Sequence, residues 1–118
     1  MTSKAETLCR EFAEKIMGVK FNKCRPNILK NPETGSNLEL DMYNESLRIA
    51  IEYNGKQHYK YPSFFIKTEE AFMQQLRRDD YKKKMCKYVG IKLITVPYTV
   101  KAKDMEKYLY DRLMSQRI

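Results

Sequence analysis

Two acidic residues stand near the ends of neighbouring segments in which polar and apolar residues alternate. Asp41 closes the run Leu38-Glu39-Leu40-Asp41, and Glu52 follows Ile49-Ala50-Ile51. Amide, ammonium and imidazole groups come directly after Glu52, in the run 53–59. Carboxylate oxygens are the ligands that hard divalent cations prefer, and such a cation can activate water and neutralise a phosphate. The pattern therefore predicts a site for Mg²⁺ or Mn²⁺ and chemistry at a phosphodiester.

The alternation also predicts where the two acids lie in space. Residues 38–43 and 47–52 have the period-two pattern of half-buried strands, and 44–46 supply turn formers between them. Facing residues in an antiparallel hairpin have numbers with a constant sum, and a loop with an even residue count makes that sum odd. Asp41 and Glu52 have an odd sum, so any such register places both on one face, about 4.5–8 Å apart at Cβ. A loop with an odd count would place them on opposite faces.

Length and charge narrow the class of protein. A chain of 118 residues fits one domain, 1–118, and its 23 Lys and Arg against 15 Asp and Glu give a net charge of +8. This excess of positive charge favours a polyanionic partner such as a nucleic acid, although a solvated basic surface remains the alternative.

No hydrophobic segment suits a membrane span or a signal peptide. We therefore expect a soluble intracellular protein, in the cytoplasm or a eukaryotic nucleus, with no membrane partner. The three widely spaced cysteines are expected to be free thiols.

Periodicity and capping residues predict an αβββαβα order, an α/β (α+β) fold with a mixed sheet flanked by helices. The predicted elements are a helix over 3–17, strands over 19–21, 38–43 and 47–52, a helix over 68–88, a strand over 91–96 and a helix over 103–114. Ser3 and Thr68 are the expected N-caps, and Gly18 and Gly90 the expected ends of the first two helices. The loop 22–37 and the aromatic linker 59–67 connect them.

The residues around both acids resemble the Asp…Glu-x-(Asn/Gln)-Gly-x-Gln-His pattern of small PD-(D/E)xK nucleases, which are restriction-endonuclease-like in fold. The resemblance is to the branch near very-short-patch repair and EDxHD homing endonucleases, of the type found in large DNA viruses and mobile elements. It covers nearly the whole chain, through the segments Ser3–Glu6, Arg25-Pro26, Phe72–Cys86, Gly90–Ile94 and Pro97-Tyr98. It implies an αβββαβ core plus a C-terminal helix, and a metal-dependent DNA endonuclease acting in repair, recombination or a viral role.

The resemblance also implies roles for individual residues. Asp41, Glu52 and the Tyr53 carbonyl would hold Mg²⁺ or Mn²⁺, and His58, supported by Asp79, would act as general acid or base. We prefer Asp79 to its neighbour Asp80, since Asp79 shares a helix side with Gln75 and Lys82.

Two assignments stay open at this point. The superfamily has a lysine two residues after the glutamate, where this chain has Asn54. Lys56, Gln57 and His58 are the candidates to replace that lysine, with Lys56 and Gln57 contacting the phosphate. Glu6 either closes a capping box with Ser3 or serves as the first-helix acid of the EDxHD arrangement.

Exposed basic residues are the expected contacts to the remaining phosphates, and these contacts are independent of base sequence. They are Lys23, Arg25, Lys30, Arg78, Lys82, Lys83 and Lys87. Aromatic residues after the motif fit either a core or wedges that enter a distorted duplex. They are Tyr59, Tyr61, Phe64 and Phe65.

Three functional interpretations remain. The first is an endonuclease acting on DNA, with RNA not excluded. The second is a catalytically inactive, basic nucleic-acid-binding module on a nuclease fold. The third is a homodimeric enzyme that resolves junctions or nicks DNA. The sequence does not distinguish duplex, single-stranded and branched substrates.

Overall fold

The computed structural model describes residues 3–62 and 66–115. Its elements are α1 (Lys4–Met17), β1 (Asn22–Cys24), β2 (Leu40–Asn44), β3 (Ile49–Asn54), a short 3₁₀ helix (Lys56–His58), α2 (Glu69–Val89), β4 (Lys92–Pro97) and α3 (Ala102–Leu113). The predicted αβββαβα order and the predicted mixed sheet flanked by helices are confirmed.

The sheet has the strand order β1-β2-β3-β4, in which the first two pairings are antiparallel and the last is parallel. The parallel pairing is possible because α2 forms the crossover that carries the chain back to the same end of the sheet. In the β2–β3 hairpin Met42 faces Ile51 and Tyr43 faces Ala50. The paired residues have a constant odd sum, which is also the sum of Asp41 and Glu52, and the pairing of β2 with β3 begins at Met42.

Apolar side chains cover both faces of the sheet. On one face α1 and α3 pack against the strands, in a cluster formed by Cys9, Ala13, Phe21, Met42, Ile49, Ile51, Ile94, Val96, Met105, Leu109 and Leu113. On the other face a smaller cluster includes Tyr43 and Ala50 from the strands and Cys86 from α2. Cys9 and Ala13 are the buried residues of α1, and Met105, Leu109 and Leu113 are those of α3. The three cysteines are free thiols, as expected.

Local hydrogen bonds fix the ends of the first two helices as predicted. The Ser3 hydroxyl accepts from the Glu6 N–H at 3.0 Å, and the Thr68 hydroxyl accepts from the Ala71 N–H at 3.1 Å. α2 ends at Gly90, whose φ of +84° is a left-handed conformation that glycine adopts without steric cost.

The first strand does not lie at 19–21, and that prediction was wrong. The backbone of Phe21 is bound by α1 instead of by a neighbouring strand: its N–H donates to Glu14 Oε2 at 2.9 Å, and its carbonyl accepts from Arg10 Nε at 3.1 Å. Strand pairing therefore begins only at Asn22, where Tyr43 becomes the partner.

The two hairpin strands begin and end about two residues later than predicted. Leu47, expected to point inward, lies in the turn and is 41% exposed. The Asn44 side chain accepts from the Leu47 N–H at 2.9 Å, which closes the turn before the strand can begin. β3 is also more deeply buried than a half-buried strand, because α2 covers its second face.

None of the helices in residues 3–62 and 66–115 is both long enough and apolar enough to cross a membrane.

The α1–α3 side of the core should carry much of the stability. Leu109 is fully buried in α3, so Leu109→Ala should lower the free energy of unfolding by about 2–5 kcal/mol through lost burial and a residual cavity. Urea denaturation measures this, with the exposed Met114→Ala as the matched control. An equal loss of unfolding free energy in the two variants would contradict the burial of Leu109 in the core.

Candidate functional site

Asp41 and Glu52, here called the acid pair, are joined across the hairpin. The Asp41 N–H donates to Glu52 Oε2 at 2.9 Å. β2 bulges at this point, because Leu40 faces Cys24 and Tyr43 faces Asn22, which leaves one extra residue in β2. Bulges redirect side chains and are frequent beside active sites.

Arg10 on α1 braces the bulge from outside the sheet. Its Nη2 donates to the Asp41 carbonyl at 2.8 Å, while its Nε donates to the Phe21 carbonyl. One guanidinium thus joins the backbone just before β1 to the backbone of β2. The sequence did not predict this role for Arg10, since no local pattern marks it.

The Glu52 carboxylate is buried, with 8% of the residue exposed, and both of its oxygens have partners. Oε2 accepts from the Asp41 N–H, and Oε1 lies 2.8 Å from the Lys82 ammonium of α2. Burial raises the pKa of Glu52, the Lys82 charge opposes that shift, and the charge of Asp41 adds to it. The net direction is upward, so Lys82 compensates the buried charge only in part.

Glu6 lies on the α1 side of the acid pair. Burial and the charge of Asp41 raise the pKa of the Glu6 carboxyl. The N-cap contact with Ser3 uses the backbone N–H of Glu6. A capping position and a place beside the acid pair are therefore compatible.

His58 and Asp79, here called the histidine pair, are in direct contact. His58 Nδ1 lies 2.8 Å from Asp79 Oδ2, and the Gln75 amide nitrogen lies 3.1 Å from the same ring nitrogen. A carboxylate accepts hydrogen bonds, so Asp79 favours a proton on Nδ1. The Gln75 amide nitrogen, which also lies 3.4 Å from Nε2, can then donate only to Nε2. Asp80 instead pairs with Lys84 at 2.9 Å in solvent. The structure thus brings Asp79, and not Asp80, to the histidine.

One side of α2 brings the two pairs into the same region. Gln75, Asp79 and Lys82 follow one another at intervals of four and three residues, which places them on one side of a helix. Asp79 contacts His58, and one turn further on Lys82 contacts Glu52. The sequence placed Lys82 on this side of α2, yet assigned it to phosphate contacts and did not find its ion pair.

The segment after β3 decides which of the three candidate residues turns inward. His58 contacts α2, Gln57 is half-buried and Lys56 is exposed. The Gln57 amide lies over Gly55, where an added Cβ would stand 2.6 Å from its oxygen. Asn54, two residues after Glu52 in β3, is buried with 9% exposed. The ammonium beside Glu52 comes from α2 instead.

The other predicted phosphate contacts are on the surface. Lys23, Arg25, Lys30, Arg78, Lys83 and Lys87 are all exposed. Arg25 also donates to the Asn37 carbonyl at 3.0 Å and to Glu39 Oε2 at 3.3 Å, so it braces the loop that precedes β2.

The aromatic residues after the motif pack in pairs. Tyr61 stacks on Phe72 of α2, and Tyr59 lies beside Tyr98, each with ring centroids 5.8 Å apart. Both tyrosines are still exposed. Phe64 and Phe65 lie outside the described residues.

The acid pair offers hard oxygen ligands, which fit Mg²⁺ or Mn²⁺. Within residues 3–62 and 66–115, no three His, Cys, Asp or Glu side chains are grouped closely enough to hold a metal ion by themselves. Mg²⁺ commonly uses one or two carboxylates and leaves the rest of its shell to water and phosphate. Tyr53, whose carbonyl was the third expected ligand, follows Glu52 in β3, and its ring packs against the α1–α3 cluster.

The raised pKa of Glu52 has a consequence for stability. A carboxyl with a pKa above its ordinary value of 4.5 binds its proton more tightly in the folded state, so it lowers stability as pH rises from 4.5 through the folded pKa. Glu52→Gln removes this loss and keeps an acceptor for Lys82. The urea midpoint of Glu52→Gln minus that of wild type should therefore be larger at pH 8 than at pH 5. The exposed Glu106→Gln is the control, and a wild-type-like slope in Glu52→Gln would contradict the expectation.

The chain is similar to three viral proteins. It is 48% identical over 111 residues to uncharacterized protein 033L of Invertebrate iridescent virus 3, covering 94% of this chain and 57% of that protein. It is 44% identical over 126 residues to uncharacterized protein 307L of Invertebrate iridescent virus 6, covering 94% and 63%. It thus spans less than two thirds of these two proteins.

A third protein is matched over more of its length. The chain is 51% identical over 108 residues to uncharacterized protein 094L of Frog virus 3 (isolate Goorha), covering 91% of this chain and 68% of that protein. No protein-family model and no solved structure matches the chain. The identity to the Frog virus 3 protein extends over nearly the whole chain, and the chain belongs to the family that 094L represents.

Proposed function

We propose that the protein is a metal-dependent endonuclease that hydrolyses DNA phosphodiester bonds. The observation that carries this proposal is that Asp79 and Lys82, one turn apart on α2, contact His58 and Glu52. The histidine pair and the acid pair therefore lie in the same region. A site for a hard cation and an oriented imidazole are the two parts that metal-assisted hydrolysis of a phosphodiester requires. The net charge of +8 supports a polyanionic substrate.

Asp41 and Glu52 would hold Mg²⁺ or Mn²⁺, with the Tyr53 carbonyl as a third ligand. When bound, the ion supplies an activated water and neutralises charge on the scissile phosphate. Arg10 and the bulge in β2 fix the backbone of Asp41, so the carboxylate reaches the site from a rigid support.

The chain's own residues provide the remaining steps. His58 accepts a proton from water or donates one to the leaving oxygen through Nε2, and the contact of Asp79 with Nδ1 fixes the orientation of the ring. Gln57 and the exposed Lys56 contact the scissile phosphate, and Glu6 serves as the acid of the first helix, where the charge of Asp41 acts on it. The exposed lysines and arginines bind neighbouring phosphates without regard to sequence. The relatives come from viruses, and the role that we propose is in repair or recombination of viral DNA.

Removal of either acid should abolish cleavage. Supercoiled plasmid, linear duplex and a four-way junction, each incubated with Mg²⁺, Mn²⁺ or EDTA, identify the substrate and the metal requirement. On whichever substrate is cut, Asp41→Asn and Glu52→Gln should be inactive, yet bind DNA as tightly as wild type or slightly more tightly, because a charge that repels phosphate is lost. The exposed Asp111→Asn on α3 is the control. Wild-type turnover in either acid variant would contradict the proposed site, and a wild type that binds all three DNAs and cuts none would favour the inactive binding module.

His58→Ala should lower the cleavage rate by roughly 10²–10⁴, the usual contribution of a general acid or base. Mn²⁺ affinity and the thermal midpoint should change little, since His58 contributes neither a metal ligand nor core packing. Asp79→Asn should also slow cleavage and alter the pH–rate profile. Asp80→Asn is the matched control, because Asp80 lies next in sequence and faces solvent. A His58→Ala protein that is folded and cuts at the wild-type rate would remove the histidine from the mechanism.

A further inference from the structure

Lys82 differs from the neighbouring basic residues of α2. Its side chain is only 21% exposed, and its ammonium lies 2.8 Å from the carboxylate of Glu52, whose side chain is 11% exposed. Lys83 and Lys87, by contrast, extend into solvent. An ammonium held against a buried carboxylate is a fixed local charge, and not part of a mobile basic surface.

The ion pair occupies the oxygen that a metal would need. Glu52 Oε2 already accepts from the Asp41 backbone, so Oε1 is the oxygen whose partner is a side chain that can move. The Glu52 side chain is 11% exposed, so a cation that reaches Oε1 must take the place of the Lys82 ammonium. Two cations cannot both approach Oε1 closely without repulsion.

We propose that Lys82 is the resident counter-ion of Glu52, that a divalent metal must displace it, and that the released ammonium then binds a substrate phosphate. This inference rests on the proposed nuclease function and adds a form of regulation to it. Without metal, Lys82 balances the buried charge and keeps the site closed to cations. A phosphate gives the displaced ammonium a new partner, so DNA and metal assist each other's binding.

The contact between Lys82 and Glu52 also bears on Asn54, the residue two positions after Glu52. A strand that carries Asn54 places no ammonium beside the glutamate two residues earlier. α2 supplies one from across the site. Lys82 thus places a positive charge beside Glu52, where the substrate phosphate would bind. The position of α2 on the sheet sets the position of this charge.

The test is Mn²⁺ binding to the DNA-free protein, followed through the electron paramagnetic resonance spectrum of free Mn²⁺. The measurement is made at pH 8, where carboxylates are ionised. Lys82→Met, which keeps the length of the side chain and removes its charge, should bind Mn²⁺ at least about tenfold more tightly than wild type, since a unit charge at this distance is removed. Lys82→Arg should bind like wild type. Lys107→Met makes the same change of net charge at an exposed position of α3 and should also bind like wild type.

Thermal melting gives an independent readout. In EDTA, Lys82→Met should melt several degrees below wild type because Glu52 loses its partner, and Mn²⁺ should raise its midpoint more than that of wild type. Should Lys82→Met not fold, Lys82→Gln replaces it in both measurements.

The outcomes separate this inference from the nuclease proposal. Tighter Mn²⁺ binding by the uncharged variant supports the inference. If wild type binds Mn²⁺ and cuts DNA while the uncharged variant binds Mn²⁺ equally or more weakly, Lys82 is only a structural partner and the inference is wrong. If none of the proteins binds Mn²⁺ and wild type cuts no DNA, the nuclease proposal fails and this inference fails with it.

Discussion

The buried carboxylate of Glu52 lies between the sheet and α2, where an ionised group is tolerated only if its charge and lone pairs are compensated. Its two main partners come from different parts of the chain: the backbone of Asp41 across the hairpin and the ammonium of Lys82 on α2. The first contact requires the register of β2 on β3. The second requires α2 to lie across β3 in one position. One side chain therefore ties the hairpin and the long helix into a single geometry, and the histidine pair is positioned by the same helix.

The two faces of the sheet are built differently, and the difference marks the site. α1 and α3 cover their face with apolar side chains. α2 buries only Cys86 completely, and its inner side carries Gln75, Asp79 and Lys82. A helix that packs through polar groups gains less from burial and needs a partner for each group. These partners exist, in His58 and Glu52. Polar side chains that replace apolar packing and have partners of this kind are typical of functional surfaces.

Acidic and basic residues of the site lie at different depths in the molecule. The acid pair and Glu6 lie inside or partly inside, while the lysines and arginines lie mostly at the surface. The surface attracts a polyanion, and the buried acids repel its phosphates unless a cation stands between them. This arrangement would make binding possible without metal and hydrolysis dependent on it, which is the behaviour that the proposed endonuclease requires.

The sequence by itself determined the features that depend on neighbouring residues: both helix N-caps, the glycines that end those helices, and the element order. These follow from hydrogen bonds within four residues and from periodicity, which the chain carries locally. It also ranked Asp79 above Asp80 correctly as the neighbour of His58, because helix geometry fixes which side chains share a side. Tertiary structure decided the start of β1, the contact of Arg10 with the Asp41 carbonyl, and the pairing of Lys82 with Glu52. Those contacts join residues 11 to 31 positions apart, and they depend on how each helix lies against the sheet, which no local pattern specifies.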